Sequence, residues 1–454
     1  MSSAENDTIA AICTAPGGAL AIIRISGPES LRILNSVTWG PHPVGAEEAR
    51  KVQLRRIGGR EGERCLTLFM PGPASYTGED VAEIQCHGGD FAPDRILHLA
   101  MEAGARPAEG GEFTRRAFLN GKIDLTQAEA VADMIAARSQ AAGRLAERQM
   151  AGRLGDRIRL CRETLLHVLA EVESRMDFPE EELDWLPADE LAARIRGTKK
   201  QLAKLLETAR EGAVIRSGIR LVLAGAPNAG KSSLLNALLG YERAIVTAEP
   251  GTTRDTVEEP LMLNGLCVRV LDTAGLRECE EEAERLGVER TRKTLDAADV
   301  IVWLLDVSCP EELPARLRQF EEERPSGIPV LPCWNKCDLP HGELPVIPGF
   351  ENAAIRISAR SGEGISELTD KILRTVLGSP DRHEPETAVS ARHADLLRRA
   401  VPQLEEAEKS VLPEEWELTA GPLREAIHAL GVITGETADP DVLDEIFARF
   451  CIGK

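Results

Sequence analysis

Residues 221–233 read LVLAGAPNAGKSS, a glycine-rich stretch between an apolar strand-like run and a run with helical apolar spacing. The pattern G-x-x-x-x-G-K-S begins at Gly225 and ends at Ser232. The glycines let backbone N–H groups turn inward around a phosphate chain, Lys231 reaches the β- and γ-phosphates, and the Ser232 hydroxyl binds Mg²⁺. A chance match in a glycine-containing turn is the alternative, which the strand–loop–helix context disfavours. The stretch therefore predicts a phosphate-binding loop.

Two further motifs follow in the order that a nucleotide switch protein requires. Residues 251–255 read GTTRD, where a threonine can place its hydroxyl on Mg²⁺ and its N–H on the γ-phosphate. A strand pattern then leads into residues 272–275, DTAG. There Asp272 would hold Mg²⁺ through water, and Gly275 would offer its N–H to the γ-phosphate. Both motifs predict contacts at the triphosphate end of the nucleotide.

The last two motifs select the base. Residues 335–338 read NKCD after a short buried-strand pattern, and residues 358–360 read SAR after another. Asp338 would accept two hydrogen bonds from guanine that adenine cannot donate, and an unpaired buried carboxylate would reject ATP. The backbone of residues 358–360 would cap guanine O6. Five motifs in this order, each at the end of a predicted strand, predict a Ras-like GTPase domain.

The predicted GTP-binding residues come from all five motifs. They are Asn228, Ala229, Gly230, Lys231, Ser232, Ser233, Thr247, Ala248, Glu249, Pro250, Gly251, Thr252, Thr253, Asp272, Thr273, Ala274, Gly275, Asn335, Lys336, Cys337, Asp338, Ser358, Ala359 and Arg360.

One position departs from the Ras-like pattern. Ras-like GTPases place a glutamine after the D-x-x-G glycine to orient the attacking water, but here the residue is Leu276. The acidic run 278–284 is the obvious other source of a water-orienting group. Asn228, inside the loop, could ligate a monovalent cation beside the phosphates, or it could cap its own backbone as a loop residue.

Composition limits the class of protein. The 454 residues are enough for two or three domains, and the net charge of −20 weighs against a wholesale nucleic-acid binder without excluding a local basic face. Ten cysteines without a C-x-x-C pair are typical of reduced thiols. No apolar run is long enough for a membrane helix, and the acidic start argues against a signal peptide. We expect a cytoplasmic protein.

Changes of pattern along the chain predict four segments. Residues 1–121 read as a mixed α and β (α+β) domain, 122–215 as helical, 216–379 as the α/β GTPase domain, and 380–454 as helical again. Helical spacing runs without a break from 125 to 149. Because helical sequence flanks the GTPase segment, we predict that this domain is inserted into a helical domain whose two parts pack together.

With these segments in place, the chain resembles the MnmE (TrmE) family of tRNA-modification GTPases from end to end. The most specific match is the closing FCIGK, residues 450–454. Further matches are YTGED at 76–80, HGG at 87–89, RAFLNGK at 116–122 and DFPEE at 177–181. Other GTPases with this phosphate loop lack these flanking motifs.

The resemblance implies a function that the residues alone do not give. With an FAD-dependent partner, MnmG (GidA), the family builds an aminomethyl-type (carboxymethylaminomethyl) group on C5 of the wobble uridine of tRNA. The one-carbon unit comes from a tetrahydrofolate derivative of the 5,10-methylene or 5-formyl type. The N-terminal domain binds this folate and forms a homodimer, while the FAD belongs to the partner in a hetero-oligomer.

By motif position, the resemblance places folate contacts on Arg24, Glu83, Lys122 and Lys454. A carboxylate can grip the amidine edge of a pterin, and arginine or lysine suits the acidic folate tail. Taken singly, Arg24 or Glu83 would be interpreted as part of a strand-edge salt bridge.

The resemblance also implies K⁺-activated hydrolysis, with the GTPase domains of two subunits face to face. The matching K⁺ ligands are Asn228, Thr247, Glu249 and Thr252, and those for Mg²⁺ are Ser232, Thr253 and, through water, Asp272. Glu284 becomes the water-orienting residue, acting through a bridging water. The catalytic set is Glu284, Lys231, Asn228, Gly251, Thr252 and Thr253.

Cys451 and the function itself leave alternatives open. The Cys451 thiolate could attack C6 of uridine, but a merely packed thiol fits the sequence as well. A ribosome-assembly GTPase that binds RNA without modifying it would need a basic module. A stand-alone folate aminomethyltransferase with a regulatory GTPase domain would work without the flavoprotein.

Overall fold

The computed structural model describes residues 7–178, 185–241, 258–272, 298–309, 311–323, 325–347, 349–350, 354–378, 387–448 and 450–454. The chain divides into two compact units. Unit 1 consists of residues 1–135, 147–203 and 395–454, and unit 2 of residues 136–146 and 204–394.

Thirteen strands are present in the described ranges. They are β1 (Ile9–Ile12), β2 (Leu20–Ser26), β3 (Thr38–Trp39), β4 (Gln53–Ile57), β5 (Glu63–Met70), β6 (Val81–His87), β7 (Arg106–Pro107), β8 (Ile219–Gly225), β9 (Glu258–Leu263), β10 (Leu266–Asp272), β11 (Val300–Asp306), β12 (Val330–Asn335) and β13 (Ile355–Arg356).

The helices of the same ranges are α1 (Ser30–Val37), α2 (Phe91–Glu102), α3 (Glu112–Leu119), α4 (Leu125–Ala136), α5 (Gln140–Met150), α6 (Arg153–Asp177), α7 (Ala188–Glu207), α8 (Ala209–Ser217), α9 (Lys231–Tyr241), α10 (Leu313–Glu323), α11 (Ile365–Leu377), α12 (Ala391–Val411), α13 (Trp416–Thr434) and α14 (Pro440–Phe447), with a short 3₁₀ turn at Ala46–Glu48.

The sheet of unit 1 has the order β3-β4-β5-β6-β2-β1-β7. Its neighbours are antiparallel except for the β1–β7 pair. Successive residues of a strand point to opposite faces, so alternation sorts the side chains. On one face Ile23, Ile84 and Phe69 are buried in a core shared with α1 and α2. The other face carries Arg24 and Glu83.

The helical part of unit 1 packs α6 against α13 in antiparallel fashion. Near the end of α6, Glu173 pairs with Arg424 at 2.7 Å, and in its first half Arg162 pairs with Glu436 at 2.6 Å.

The helix predicted over 125–149 is in fact two helices, α4 and α5. The break falls where the Ser139 hydroxyl accepts a hydrogen bond from the N–H of Ala142, which caps the new helix.

The sheet of unit 2 has the order β13-β12-β11-β8-β10-β9 and is parallel except for the β9–β10 pair. Helices cover both faces, which explains why β8 and β11 read as continuous apolar runs. Leu221 and Leu223 pack on the side of α9 and α11, whereas Val222 lies in the other core, which includes Phe320 of α10. The carboxyl ends of the parallel strands meet at one edge, where the phosphate loop begins.

The predicted fold class is confirmed, with an α+β N-terminal part, helical segments and a Ras-like α/β part with a parallel-rich sheet. The boundaries at 121, 215 and 379 stay predictions. None of the helices in the described ranges has the length and apolarity that crossing a bilayer requires.

Candidate nucleotide and folate sites

The phosphate loop of unit 2 joins β8 to α9 through backbone that only glycine adopts easily. Gly225 and Gly230 have φ of 134° and 100°, and Asn228 between them has φ of 61°. A Cβ on Gly230 would lie 2.2 Å from Asn335 Nδ2, and one on Gly225 would lie 2.5 Å from the Leu304 carbonyl oxygen. Both glycines are therefore required by close approach as well as by φ.

Lys231 begins α9 and reaches back across the loop. Its Nζ donates to the carbonyl oxygens of Gly225 at 3.1 Å and Ala226 at 2.9 Å. Ser232 and Ser233 follow in the first turn of α9, and both are exposed. A cationic amine, a helix start and exposed hydroxyls therefore lie together, an arrangement that binds phosphate oxygens.

Asn335 connects the phosphate loop to the predicted base-recognition loops. Its Nδ2 donates to the Ala229 carbonyl at 2.7 Å, and its Oδ1 accepts from the Ala359 N–H at 3.1 Å. The side chain is 1% exposed. One buried amide thus holds three of the predicted motifs together.

Asp338 and Lys336 are each oriented by a second residue. The Ser358 hydroxyl donates to Asp338 Oδ1 at 2.6 Å. Lys336 has φ of 67°, and its Nζ pairs with Asp306 Oδ2 at 2.5 Å. Burial raises the pKa of Asp306, but hydrogen bonds from Lys336 and Ser308 outweigh this effect and hold the pKa below its usual value. Nothing in the sequence had singled out Asp306.

Two further predicted base-loop residues differ in exposure. Cys337 is partly buried and donates to the Trp334 carbonyl oxygen at 3.3 Å, and burial raises the pKa of its thiol. Arg360 is exposed beside this loop.

Much of the predicted γ-phosphate and cation machinery lies outside the described residues. Asp272 ends β10 and is paired in register with Leu223, two residues before the phosphate loop. The predicted residues outside the described ranges are Thr247, Ala248, Glu249, Pro250, Gly251, Thr252, Thr253, Thr273, Ala274, Gly275 and Glu284.

In unit 1, Arg24 and Glu83 are directly paired. They are opposite each other on β2 and β6, with Arg24 Nε 2.9 Å from Glu83 Oε1. The Arg24 guanidinium also lies 5.2 Å from the centre of the Tyr76 ring and 5.6 Å from that of Phe113. The Tyr76 hydroxyl is 2.9 Å from the Thr114 hydroxyl, which fixes one of these rings. The pair is therefore held in one geometry by aromatic contacts.

Lys454 is near the same pair. Its carbonyl oxygen accepts from the Phe113 N–H at 3.1 Å. Burial raises the pKa of the Cys13 thiol, and the charges of Arg24, Glu83 and Lys454 also act on it, the two cations lowering the pKa. The charges of three of the four predicted folate residues thus act on one half-buried thiol.

Lys122 contacts the loop that carries Tyr76. Its Nζ donates to the Pro73 carbonyl at 3.0 Å, and the neighbouring Asn120 side chain donates to the Thr77 carbonyl at 2.8 Å. Lys122 is therefore placed at the loop that closes over Arg24, rather than in the pair itself.

A buried ion network supports this loop. The sequence motifs alone did not predict it. Arg116 is 7% exposed and pairs with Asp7, with Glu79 at 3.2 Å, and with Glu112 at 3.0 Å. Glu79 also accepts from the Ser26 hydroxyl at 2.7 Å. The signal was present, because Glu79 and Arg116 belong to the motifs YTGED and RAFLNGK.

The C-terminal residues 450–454 pack against the rest of unit 1 through close glycine contacts. Gly110 pairs with Ile452, and the Gly111 N–H donates to the Cys451 carbonyl at 3.3 Å. A Cβ on Gly453 would lie 2.4 Å from the Ile12 carbonyl oxygen. Cys451 itself is exposed.

Comparison with known proteins covers almost the whole chain. Residues 8–122 match the family model described as GTP-binding protein TrmE N-terminus, and residues 125–451 match that of the MnmE helical domain. The tRNA modification GTPase MnmE of Akkermansia muciniphila is 44% identical over 98% of this chain and 99% of its own length. That of Symbiobacterium thermophilum is 43% identical over 99% of both chains.

Among solved structures, a variant of Aquifex aeolicus Era bound to GDP.AlF4- is 27% identical, covers 41% of this chain and 66% of its own, and has a TM-score of 0.28. A TM-score this low supports no conclusion. The two family models and the full-length relatives confirm the predicted family without it. The chain belongs to the tRNA modification GTPase MnmE family.

Proposed function

We propose that this GTPase is activated by K⁺ and acts with an FAD-dependent partner of the MnmG type. Together they install an aminomethyl-type group on C5 of the tRNA wobble uridine, using a folate-bound one-carbon unit. The observation that carries the proposal is the cluster of Arg24, Glu83 and Lys454 in unit 1, which shares one chain with a GTP site. A nucleotide switch alone does not need such a cluster.

The residues fit GTP and Mg²⁺. GTP hydrolysis by this fold uses Mg²⁺ to neutralise phosphate charge. The predicted ligands Ser232, Thr253 and Asp272 are oxygen donors, which Mg²⁺ prefers. Of these, Ser232 is exposed in the first turn of α9, beside the Lys231 amine. Lys231 would bind the β- and γ-phosphates, and Asp338, oriented by Ser358, would bind guanine.

The K⁺ site would be built on Asn228. Its left-handed backbone, φ of 61°, places the residue inside the phosphate loop between Gly225 and Gly230, which also have positive φ. Hard oxygen donors suit K⁺, and Asn228 offers an amide oxygen, while Thr247, Glu249 and Thr252 would supply the rest. Gly251 and Thr253 would complete the loop at the γ-phosphate. Glu284 would orient the attacking water.

Folate would bind at the Arg24–Glu83 pair. A carboxylate that is 13% exposed and fixed by an arginine is a pre-organised acceptor for the N–H groups of a pterin edge. The amines of Lys454 and Lys122 would attract the acidic tail. The folate, when bound, would supply the one-carbon unit, and these side chains would hold and orient it.

The exposed face of the unit 1 sheet supports a homodimer. Leu54 and Leu66 are opposite each other on β4 and β5 and are 53% and 41% exposed, and Trp39 on β3 is 47% exposed. An exposed apolar patch, here at the β3–β5 end of the sheet face, is typical of an interface. Leu66→Arg should give a monomer in light-scattering chromatography, whereas Leu412→Arg, at an equally exposed leucine of the helical part, should not.

GTP turnover in matched KCl and NaCl buffers tests the cation proposal. We expect strong stimulation by K⁺, lost in Asn228→Ala while GTP binding persists. Glu284→Gln should bind GTP without hydrolysing it, and Glu282→Gln in the same acidic run is the control. Equal slow rates in both salts would contradict the roles of Asn228 and Glu284 and would favour an RNA-binding switch protein.

The flavoprotein requirement needs its own assay. The purified chain, its tRNA substrate and a folate donor should give modified uridine only when the flavoprotein is added. Modification without the flavoprotein would instead favour a stand-alone aminomethyltransferase. The assay therefore separates the two folate-using alternatives.

A further inference from the structure

A cleft of about 360 Å³ opens at the end of β1 in unit 1. Its walls are the loop 14–18, the start of β2, the turn Gly88–Asp90 with the first turn of α2, and Ile452. This volume falls within the range of small-molecule sites, about 300–1,000 Å³. The described residues that line it do not include Arg24, Glu83, Lys122 or Lys454, so it is distinct from the proposed folate cluster.

The cleft and the folate cluster are adjacent through β1. Ile12 lines the cleft, and the next residue, Cys13, is the thiol on which the charges of Arg24, Glu83 and Lys454 act. Neighbouring residues of a strand point to opposite sides. The segment 450–454 spans both places, because Ile452 lines the cleft and Lys454 reaches the cluster. The cleft and the folate cluster therefore flank the chain at residues 12–13, one on each side.

The polar groups of the cleft match the edge of uracil. Uracil presents an acceptor, a donor and an acceptor in a row, O2, N3–H and O4. The carboxylates of Asp90 and Asp94 can accept from N3–H, and the N–H groups of Gly17 and Gly89 have no acceptor among the described residues. The lining, as far as the structure describes it, has no lysine or arginine. This disfavours a phosphate and favours a neutral base.

Two exposed apolar side chains line the opening, and a third follows a lining residue in the chain. Leu20 and Ile452 line it and are 64% and 67% exposed. Phe91, between the lining residues Asp90 and Pro93, is 77% exposed. Proteins that read single-stranded RNA stack splayed-out bases on aromatic side chains of this kind. The three side chains therefore suit a planar base that enters from solvent.

We propose that this cleft binds the unpaired uracil base that the chain modifies, stacked on Phe91 and hydrogen-bonded to Asp90 or Asp94. This inference rests on the proposed function, because it takes the acceptor to be an RNA loop. The site itself needs neither folate nor GTP to bind the base.

Photocrosslinking tests the position of the base. The probe is a stem-loop RNA with 4-thiouridine at the wobble position, irradiated with the full-length chain alone and together with the flavoprotein. Peptide mapping should place the crosslink within residues 14–21, 88–94 or 451–452. The same RNA with 4-thiouridine in its stem is the background. A crosslink elsewhere, or no yield above this background in either mixture, overturns the proposal.

Two variants give a second readout. Gly18→Val narrows the cleft without backbone strain, because an added Cβ would meet only the Leu20 and Ala15 carbonyl oxygens, at 3.4 and 3.8 Å. Phe91→Ala removes the stacking surface, and a lost base stack weakens binding by about 5- to 100-fold. Both should lower RNA affinity, whereas Gly421→Ala in α13, with no atom within 4 Å, should not.

Folate binding and GTP turnover, measured on the same variants, distinguish a failure of the cleft proposal from a failure of the proposed function. Both activities should equal those of the unaltered chain. If the unaltered chain binds no folate, the proposed function fails, while the crosslink still reports on the cleft. If Phe91→Ala weakens binding of the flavoprotein and leaves RNA affinity and crosslinking unchanged, the cleft is a protein-docking surface and the proposal is wrong.

Discussion

The GTP site of unit 2 is built mainly from backbone, whereas the proposed folate site of unit 1 is built from charged side chains. In the first, Gly225 and Gly230 would make room for phosphates, and a buried amide holds the loops together. In the second, Arg24 and Glu83 hold each other, and a buried ion network supports the loop above them. A backbone site should fail when atoms are added, and a side-chain site when charges are removed.

The largest effect is expected where the backbone site has no spare room. Gly230→Ala places a Cβ 2.2 Å from Asn335 Nδ2 at a φ of 100°, so the loop must shift. We expect GTP and GDP affinity to fall by about 100-fold, the effect of roughly 3 kcal/mol of strain. Equilibrium titration with a fluorescent nucleotide measures it. Gly240→Ala in α9, the helix that follows the loop, meets no atom within 4 Å and should bind normally.

The ion network gives the next effect, and it depends on pH. Burial raises the pKa of Glu112, but hydrogen bonds from Arg106, Glu109 and Arg116 bring it below its usual value. A lowered carboxyl pKa stabilises the fold above the unfolded pKa of about 4.3, and this contribution is lost as pH falls through the folded pKa. Glu112→Gln should therefore destabilise unit 1 by about 3 kcal/mol near neutral pH, and by less below about pH 4.

Hydrogen exchange in urea, followed on peptides from β1 and α3, measures this difference. Glu190→Gln removes a more exposed partner, 46% accessible, and should change stability little. A loss of stability that stays the same at every pH would show that Glu112 acts by packing rather than by charge.

Removing charge from the proposed folate pair should lower folate affinity in unit 1 without affecting GTP turnover in unit 2. We expect Arg24→Ala and Glu83→Gln each to weaken binding of 5-formyltetrahydrofolate by about 10- to 100-fold, because a hydrogen bond to a charged group is lost. Calorimetry measures the affinity, and GTP turnover should not change. Arg32→Ala removes a more exposed pair with Glu29 and serves as the control. Unchanged folate affinity in both variants would remove the pair from the site.

The smallest effect should come from the charged contact between Lys336 and Asp306, which orients part of the backbone site. Asp306→Asn weakens the contact with Lys336, and nucleotide affinity should fall by about 3- to 10-fold. Asp299, just before the same strand, pairs with Arg220 at 3.0 Å, so Asp299→Asn is a matched control that should bind normally. Equal affinities in the two variants would leave Asp306 with a purely structural role.

The two sites also differ in how far the sequence predicts them. The phosphate loop is a continuous motif whose glycines are required by the local backbone conformation, so its residues can be assigned from spacing alone. The Arg24–Glu83 pair depends on the register of β2 with β6, which spacing does not give, and the family resemblance supplied it. Arg116 with Asp7 and Glu79 joins residues far apart in the chain, and Asp306 acts through a strand neighbour. Such contacts arise only when the sheet has formed.

The docking of residues 450–454 against β1 has a consequence for synthesis. The strand and the segment that covers its end are separated by about 440 residues, which a ribosome takes on the order of 20–90 s to translate. During that interval β1 lacks the contact with Gly453, Gly110 lacks its pairing with Ile452, and α3 lacks its hydrogen bond to the carbonyl of the last residue. The nascent chain therefore has an incomplete version of the proposed folate site after the segment that holds the predicted nucleotide site has been translated. If the proposed function holds, one-carbon chemistry would have to wait until residues 450–454 have been translated, after the last helix.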